Sequence, residues 1–194
     1  ERNMAVLIAD LSGYTALTET HGASAAADII DKYIEMVKDS LVADSHFHER
    51  TGDEVMIVSS SADHLLATAN NLLRHSSGEN NFLQLHGGLH YGKILNRNNH
   101  YFGTTLNLTA RIAQKANPGS FWCSGEYVDA LHQATPFTFH SKGKQGFKNI
   151  SEEHEVYELI SGSQPEFYID PVCKMQIDHT RMAIPHPDRS NIFF

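Results

Sequence analysis

The chain reads as an α+β domain, a ferredoxin-like sheet with helices on one face. Three observations point there. Met4 to Ala9 is a short continuous apolar run, the mark of a buried strand. Ala16 to Val42 and Ala62 to His75 read as helices, the first with Ile29, Ile30, Tyr33, Ile34, Val37 and Leu41 in a core-facing stripe. The strand-like runs around them give the order β-α-α-β-β-α-β.

Taken in turn, the first strand ends at Asp10-Leu11-Ser12-Gly13-Tyr14-Thr15, where Gly13 permits a sharp turn and Ser12 or Thr15 can cap the next helix. That helix is interrupted near Gly22. His46 to Arg50 and Glu54 to Ser59 form two strands joined at Thr51-Gly52-Asp53, a hairpin signal. A second helix, a loop from Ser76 to Asn81, and an alternating strand through Leu83, Leu85, Gly87, Leu89 and Tyr91 come next. Asn96 to Asn99 is a polar turn, and Thr105 to Ala116 a helix stopped by Asn117-Pro118-Gly119. Ser120 to Ser124 reads as strand, Gly125 to His132 as a short helix, and Val156 to Ile160 as a last strand. The organisation expected is a catalytic unit over 1–160, a linker over 161–167 and a distinct tail over 168–194.

With 41% hydrophobic and 20% charged residues in 194, a packed core is the expectation, not disorder. The formal charge of −8 argues against a nucleic-acid partner, whose phosphates call for a basic surface, but not against a mononucleotide. No apolar run approaches the ~20 residues of a membrane-spanning helix. Glu1-Arg2-Asn3 reads as the start of a trimmed fragment, without a signal peptide. Cys123 and Cys173 are too few for a disulfide framework, which fits a cytoplasmic setting. The 13 His residues are scattered and form no zinc-site spacing.

The chemistry concentrates in two carboxylates. Asp10 follows an apolar strand and Asp53 sits in a hairpin turn, and a ferredoxin-like sheet can bring the two together. Mg2+ and Mn2+ bind through one or two carboxylates plus substrate phosphates, and paired metals assist phosphoryl transfer. Taken singly, an Asp in a turn is a turn former. The surrounding blocks give the pair its meaning.

Ala9-Asp10-Leu11-Ser12-Gly13-Tyr14-Thr15 resembles the opening motif of the class III adenylate and guanylate cyclases. Thr51-Gly52-Asp53-Glu54 is similar to their second metal motif, and Tyr101 to Ile112 to their third block. Ala116-Asn117-Pro118-Gly119-Ser120 and Phe147-Lys148-Asn149-Ile150 resemble later landmarks, all in the family's order over roughly residues 4 to 160. The resemblance implies a homodimeric cyclase that turns a nucleoside triphosphate into a cyclic nucleotide, with sites shared between subunits. It implies two divalent cations held by Asp10, Asp53 and the backbone of Leu11. Ser12, Gly13, Tyr14 and Thr15 would cradle the triphosphate at a helix start, with Lys148 at its terminal phosphates. Asn107 would orient the ribose, and Arg111 would meet the charge developing on the α-phosphate. Each also has a plainer reading, Asn107 and Arg111 as polar residues four apart on one helix face and Lys148 as a solvated side chain.

The family's base-reading positions fall on Glu49, four residues before Asp53, and His100, seven before Asn107. Glu49 accepts hydrogen bonds and suits the N1–H and amine of guanine, which favours GTP; cytosine and uracil also present donors. Adenylate and pyrimidine nucleotide cyclases stay open, as does a catalytically weak nucleotide-binding regulatory domain. A diguanylate-forming relative is disfavoured, because the hairpin reads Thr51-Gly52-Asp53-Glu54 and lacks that family's Gly-Gly-Asp/Glu-Glu-Phe. Tyr168 to Asp178 resembles the start of a YHS module, truncated here and with Cys173 alone, too few thiolates for a metal site of the usual count.

Overall fold

The sheet is built around a strand that is apolar on both sides, and that fact shapes the whole architecture. The computed structural model describes residues 1–132, 135–161, 167–178, 185–186 and 189–193. Residues 162–166 of the expected linker, and 179–184, 187–188 and Phe194 of the tail, lie outside the described residues. Strand β1 (Arg2–Leu11) leads into α1 (Tyr14–Ser40), then β2 (His46–Thr51), β3 (Glu54–Ser59), α2 (Ala62–Ser77) and β4 (Leu85–Arg97). After these come β5 (His100–Phe102), α3 (Thr104–Lys115), β6 (Phe121–Ser124), α4 (Gly125–Asp129), β7 (Thr138–Gln145) and β8 (His154–Ile160).

These strands form one mixed sheet in the order β2-β3-β1-β4-β6-β8-β7, with β5 folded back on β4. Among the described residues only β4 and β6 run parallel. Asn98 and Asn99, both at positive φ (53° and 63°), make the tight β4–β5 turn. Gly22 leaves helical geometry at φ 83°, ψ 172° and kinks α1 where the sequence shows an interruption.

Helices cover both faces of the sheet, not one. Ala5, Leu7, Ala9 and Leu11 pack with Leu17, Tyr33, Leu65, Leu72 and Tyr127 of α1, α2 and α4. Met4, Val6 and Ile8, on the other face, pack with Ala113 of α3 and with Tyr101. The physical reason lies in β1 itself: an unbroken apolar run has no polar face to leave in water, so both faces must be covered. Strand β7, which has little apolar patterning, pairs only with β8 at the edge of the sheet.

In the tail, β9 (Phe167–Ile169) pairs with β10 (Gln176–Asp178), and β11 (Pro185–His186) with β12 (Arg189–Phe193). The β10 side of this unit docks on the body. Gln176 N donates to Phe82 O at 2.7 Å, Asn81 N donates to Gln176 O at 2.9 Å, and Cys173 and Ile177 are buried.

Helix α3 approaches β4 at Gly88, where an added Cβ would lie 2.5 Å from both Ala113 N and Thr109 O. Gly88→Ala is therefore expected to push α3 off the sheet and cost about 1–3 kcal/mol. Thermal unfolding should show a melting temperature several degrees lower; an unchanged value would mean that α3 is not held by this contact.

Candidate active site

β1 delivers Asp10 to one end of the sheet, directly opposite His86 of β4. Leu11 N donates to Asp10 Oδ1 at 3.0 Å, so the chain's own backbone fixes that carboxylate. Ser12 Oγ shares a 2.9 Å hydrogen bond with His86 Nδ1, and Ser12 N donates to Gln84 O at 2.8 Å. With Ser12 donating to Nδ1, the His86 Nε2–H faces Asp10 Oδ2 at 4.0 Å. Gly13 then turns through the left-handed region (φ 90°) and caps α1 without a side-chain hydrogen bond. The first-turn amides of α1 are left without a side-chain cap, and no acidic residue lies in that turn.

Asp53, in the β2–β3 turn, comes within hydrogen-bonding reach of Asp10. Burial, then the hydrogen bond and charge of Asp10, push the Asp53 carboxyl up to about 6. Burial also raises Asp10, and the charge of Glu54 adds to this, while hydrogen bonds from Asp53 and Leu11 oppose it. Glu54 is raised as well, by burial and by the charges of Asp53 and Glu49. Beneath them lies the fully buried Tyr33, its hydroxyl without a hydrogen-bond partner among the described residues. Burial, then the charges of Asp10, Asp53 and Glu54, raise the Tyr33 phenol well above its ordinary value.

This donor set fits a hard divalent cation. Two carboxylates compete for one proton, and among the described residues His86 alone lies within 4.0 Å of either as a charge partner. No group of three or more His, Cys, Asp or Glu among the described residues is placed to hold a metal unaided. Mg2+ and Mn2+ accept that arrangement, since they take one or two carboxylates and fill their remaining positions from substrate phosphates and water.

The other expected residues lie apart from this pair. Glu49, Asn107 and Glu54 line one small cavity of about 200 Å3, with Thr51, Ile8 and Ala110. A bulge in β2 between Phe47 and Glu49 precedes Glu49. His100 is exposed in β5 opposite Arg97, and is not among the residues lining that cavity. Asn107 also borders a cavity of about 450 Å3 lined by His90, Glu126, His154 and the stretch from Asn149 to Glu152. Lys148, exposed, immediately precedes that stretch. Arg111 Nη1 donates to Gln114 Oε1 at 2.8 Å on its own helix. No hydrogen bond or ion pair among the described residues joins Arg111, Lys148 or His100 to either aspartate.

Residue-by-residue reading missed His86, Glu54 and Tyr33. Alternation along Leu85, Gly87 and Leu89 showed that His86 faces the other way, but only the β1–β4 register reveals that it faces Asp10. His90 was also unforeseen. It is buried against Ser124 Oγ (2.7 Å), its basicity lowered to about 4 by burial, beside the ion pair of His154 Nδ1 and Glu126 Oε1 (2.7 Å).

No family model matches the chain. An uncharacterized protein of Mycobacterium tuberculosis is 36% identical over 124 residues, which cover 63% of this chain and 33% of that protein. The pH-sensitive adenylate cyclase of M. tuberculosis is 26% identical over 165 residues, 84% of this chain and 42% of the cyclase. The chain thus spans well under half the length of these curated relatives. Among solved structures, an adenylate cyclase from Trypanosoma brucei in its monomeric state superposes with a TM-score of 0.76 at 17% identity, covering 91% of this chain and 93% of that one. The guanylate cyclase domain of RhGC from Catenaria anguillulae, in complex with GTP, gives 0.68 at 16% identity, covering 82% and 96%. The chain has the α+β fold of the class III cyclase catalytic domains. Its curated relatives with a functional name are adenylate cyclases.

The shared proton makes a testable demand on metal-free protein. A carboxyl whose folded value is raised contributes stability below its unfolded value, near 3.8 for Asp53, and loses it as pH rises to about 6. His90, lowered to about 4, titrates with the opposite sign over the same range, so the effect is read as the difference between Asp53→Asn and wild type in metal-free protein. Asp53→Asn should melt a few degrees above wild type near pH 7 and by less near pH 5. A difference that does not change with pH would show that the two carboxylates do not share a proton.

Proposed function

We propose that this chain is a nucleotidyl cyclase catalytic domain that converts a nucleoside triphosphate to a 3′,5′-cyclic nucleotide and pyrophosphate. The reading rests on one observation above the others: the close pair Asp10 and Asp53 stands beside the uncapped start of α1. The 3′-oxygen displaces pyrophosphate from the α-phosphorus, and its proton passes to water. Asp10, Asp53 and the Leu11 carbonyl would hold two Mg2+ or Mn2+ ions, which when bound supply Lewis-acid neutralisation of the attacking and leaving oxygens. The amides from Gly13 to Thr15 receive the triphosphate, where the helix dipole favours anions, since those of Leu11 and Ser12 are already donated to Asp10 Oδ1 and Gln84 O. Asn107 orients the ribose, Arg111 offsets charge at the α-phosphate and Lys148 holds the terminal phosphates. The catalytic unit is residues 1–160, with the segment from Tyr168 a YHS-like appendage.

We assign guanine as the preferred base. Glu49 and Glu54 line one small cavity, and paired carboxylates match the donor edge of guanine and repel the N1 acceptor of adenine. The adenylate reading is favoured by the named relatives. Incubation with each of the four triphosphates and Mn2+, followed by product identification, separates the two; chiefly cyclic AMP would remove the guanine assignment. Asp10→Ala or Asp53→Ala should abolish turnover at least a hundredfold without unfolding the domain. Near-normal turnover in either would end the two-metal reading.

The working enzyme is a homodimer, because the chain carries the acidic half (Asp10, Asp53) and the half with Asn107 and Arg111 as separate sets. When Asp10→Ala and Arg111→Ala subunits are mixed and allowed to exchange, half the dimers are mixed and each has one intact site. About a quarter of wild-type activity should return. No recovery, with exchange demonstrated, would place each site within one chain.

A further inference from the structure

We propose that residues 170–177 act as a strap that fixes the entry turn of α1, with Lys174 as its positioning residue. The turn's role in holding triphosphate rests on the cyclase reading above; the contact itself does not.

The strap is closed on itself and anchored on the body. Asp170 Oδ1 accepts from Val172 N (2.7 Å) and Cys173 N (2.9 Å). Lys174 N donates to Asp170 O at 3.0 Å and Asp170 N to Met175 O at 2.9 Å, which completes a tight loop. The anchor is Gln176, whose side chain is buried. Its Nε2 donates to Ser76 O (2.9 Å) and Glu79 O (3.1 Å), and its backbone is bonded on both sides to Asn81 and Phe82. Met175 bridges to Leu83 one residue further on.

This anchoring sets Lys174 against Gly13. Lys174 adopts the left-handed region (φ 66°), a conformation that a lysine takes only when its surroundings impose it. Its Nζ donates to Pro171 O at 2.7 Å inside the strap, so the methylene stem, and not the charge, meets the turn. A Cβ built on Gly13 would lie 2.6 Å from Lys174 Cγ and close to its Cβ as well. Gly13 is thus constrained twice, by its φ of 90° and by the stem lying on it. Its carbonyl accepts from Leu17 N at 3.0 Å, at the start of α1. Where the stem holds Gly13, it also sets the direction of the first-turn amides. By linkage, a substrate that needs those amides in place strengthens the strap as much as the strap strengthens its binding.

The test uses the full chain with three substitutions. Gln176→Glu faces a carboxylate with two carbonyl oxygens and releases the anchor. Lys174→Ala removes the stem, and Lys174→Met keeps it without the charge. Amide hydrogen exchange at Gln176 and Asn81 reports the strap, and at Leu17 the turn; steady-state kinetics reports the site. Gln176→Glu should speed exchange at all three amides and raise KM about tenfold with kcat changed less than about threefold. Lys174→Ala should speed Leu17 and raise KM similarly, and Lys174→Met should restore both. An open strap with Leu17 still protected and KM unchanged overturns the proposal, as does a Lys174→Met variant as damaged as Lys174→Ala. If Gln176→Glu does not fold, the Lys174 pair decides by the same reporters. If the wild type turns over no nucleoside triphosphate, the cyclase reading falls, while exchange at Leu17 still decides whether the strap holds the turn.

Discussion

The pairing of β1 with β4 sets the position of Asp10 and of the turn into α1. It runs in unbroken register from Arg2 opposite Ile94 to Leu11 opposite Leu85, and it brings Asp10 to His86. A slip of one residue would turn each side chain of β1 to the other face. Asp10 would then enter the cluster around Leu17 and Tyr33, and Leu7 would leave it. Two glycines of β4 hold the register from outside. Gly87 lets the Ile8 carbonyl and the ring of Phe121 close in, and Gly88 admits the backbone of α3. A side chain in either place would move a neighbouring element, so the sheet, α3 and the acidic pair share one constraint.

The same geometry creates an electrostatic imbalance. Asp10, Asp53 and Glu54 are gathered, partly buried, over an unpartnered phenol, and each is pushed toward protonation. Asp44 shows the contrast of a carboxylate that the chain itself satisfies. Asp44 accepts hydrogen bonds from Ser59, Ser60 and His64, and they hold its carboxyl well below the usual range despite the opposing effect of burial. Carboxylates that are partly buried together and all raised toward protonation are the pattern of a site that receives its counter-charge from a ligand.

Much of this was legible in the sequence, for physical reasons that differ from residue to residue. Asp10 stood out because an apolar run stops there, and Asp53 because Gly52 marks the turn. The kink at Gly22 was visible because no helix-favouring side chain replaces it. The two-faced packing was implicit in the unbroken run from Met4 to Ala9, yet the β-α-α-β-β-α-β order alone suggested helices on one face. His86 and Glu54 acquire meaning only from register and from neighbours across the sheet, which local spacing does not encode. His100 was named from the family's base-reading position, and only the β4–β5 register shows that it pairs opposite Arg97. The docking of Gln176 on Asn81 and Phe82 left no local signal, because its hydrogen bonds go to backbone groups almost a hundred residues away.

The turn from Ser12 to Tyr14 is held from several directions at once, and this has a cost. Ser12 is tied through its hydroxyl to His86 and through its amide to Gln84, while Gly13 lies under the stem of Lys174. Two residues of this small region sit at positive φ, one of them a lysine. Backbone strain of that kind persists only where surrounding contacts over-determine it. Here those contacts are the buried β1–β4 pair on one side and the Gln176 anchor on the other. A turn fixed before a ligand arrives loses little conformational freedom on binding, and its amide dipoles need no reorientation. The stability given up at Lys174 and the crowded carboxylates is offset by the two-sided core that β1 makes possible. The architecture that buries β1 on both faces is therefore the one that allows its far end to carry charge.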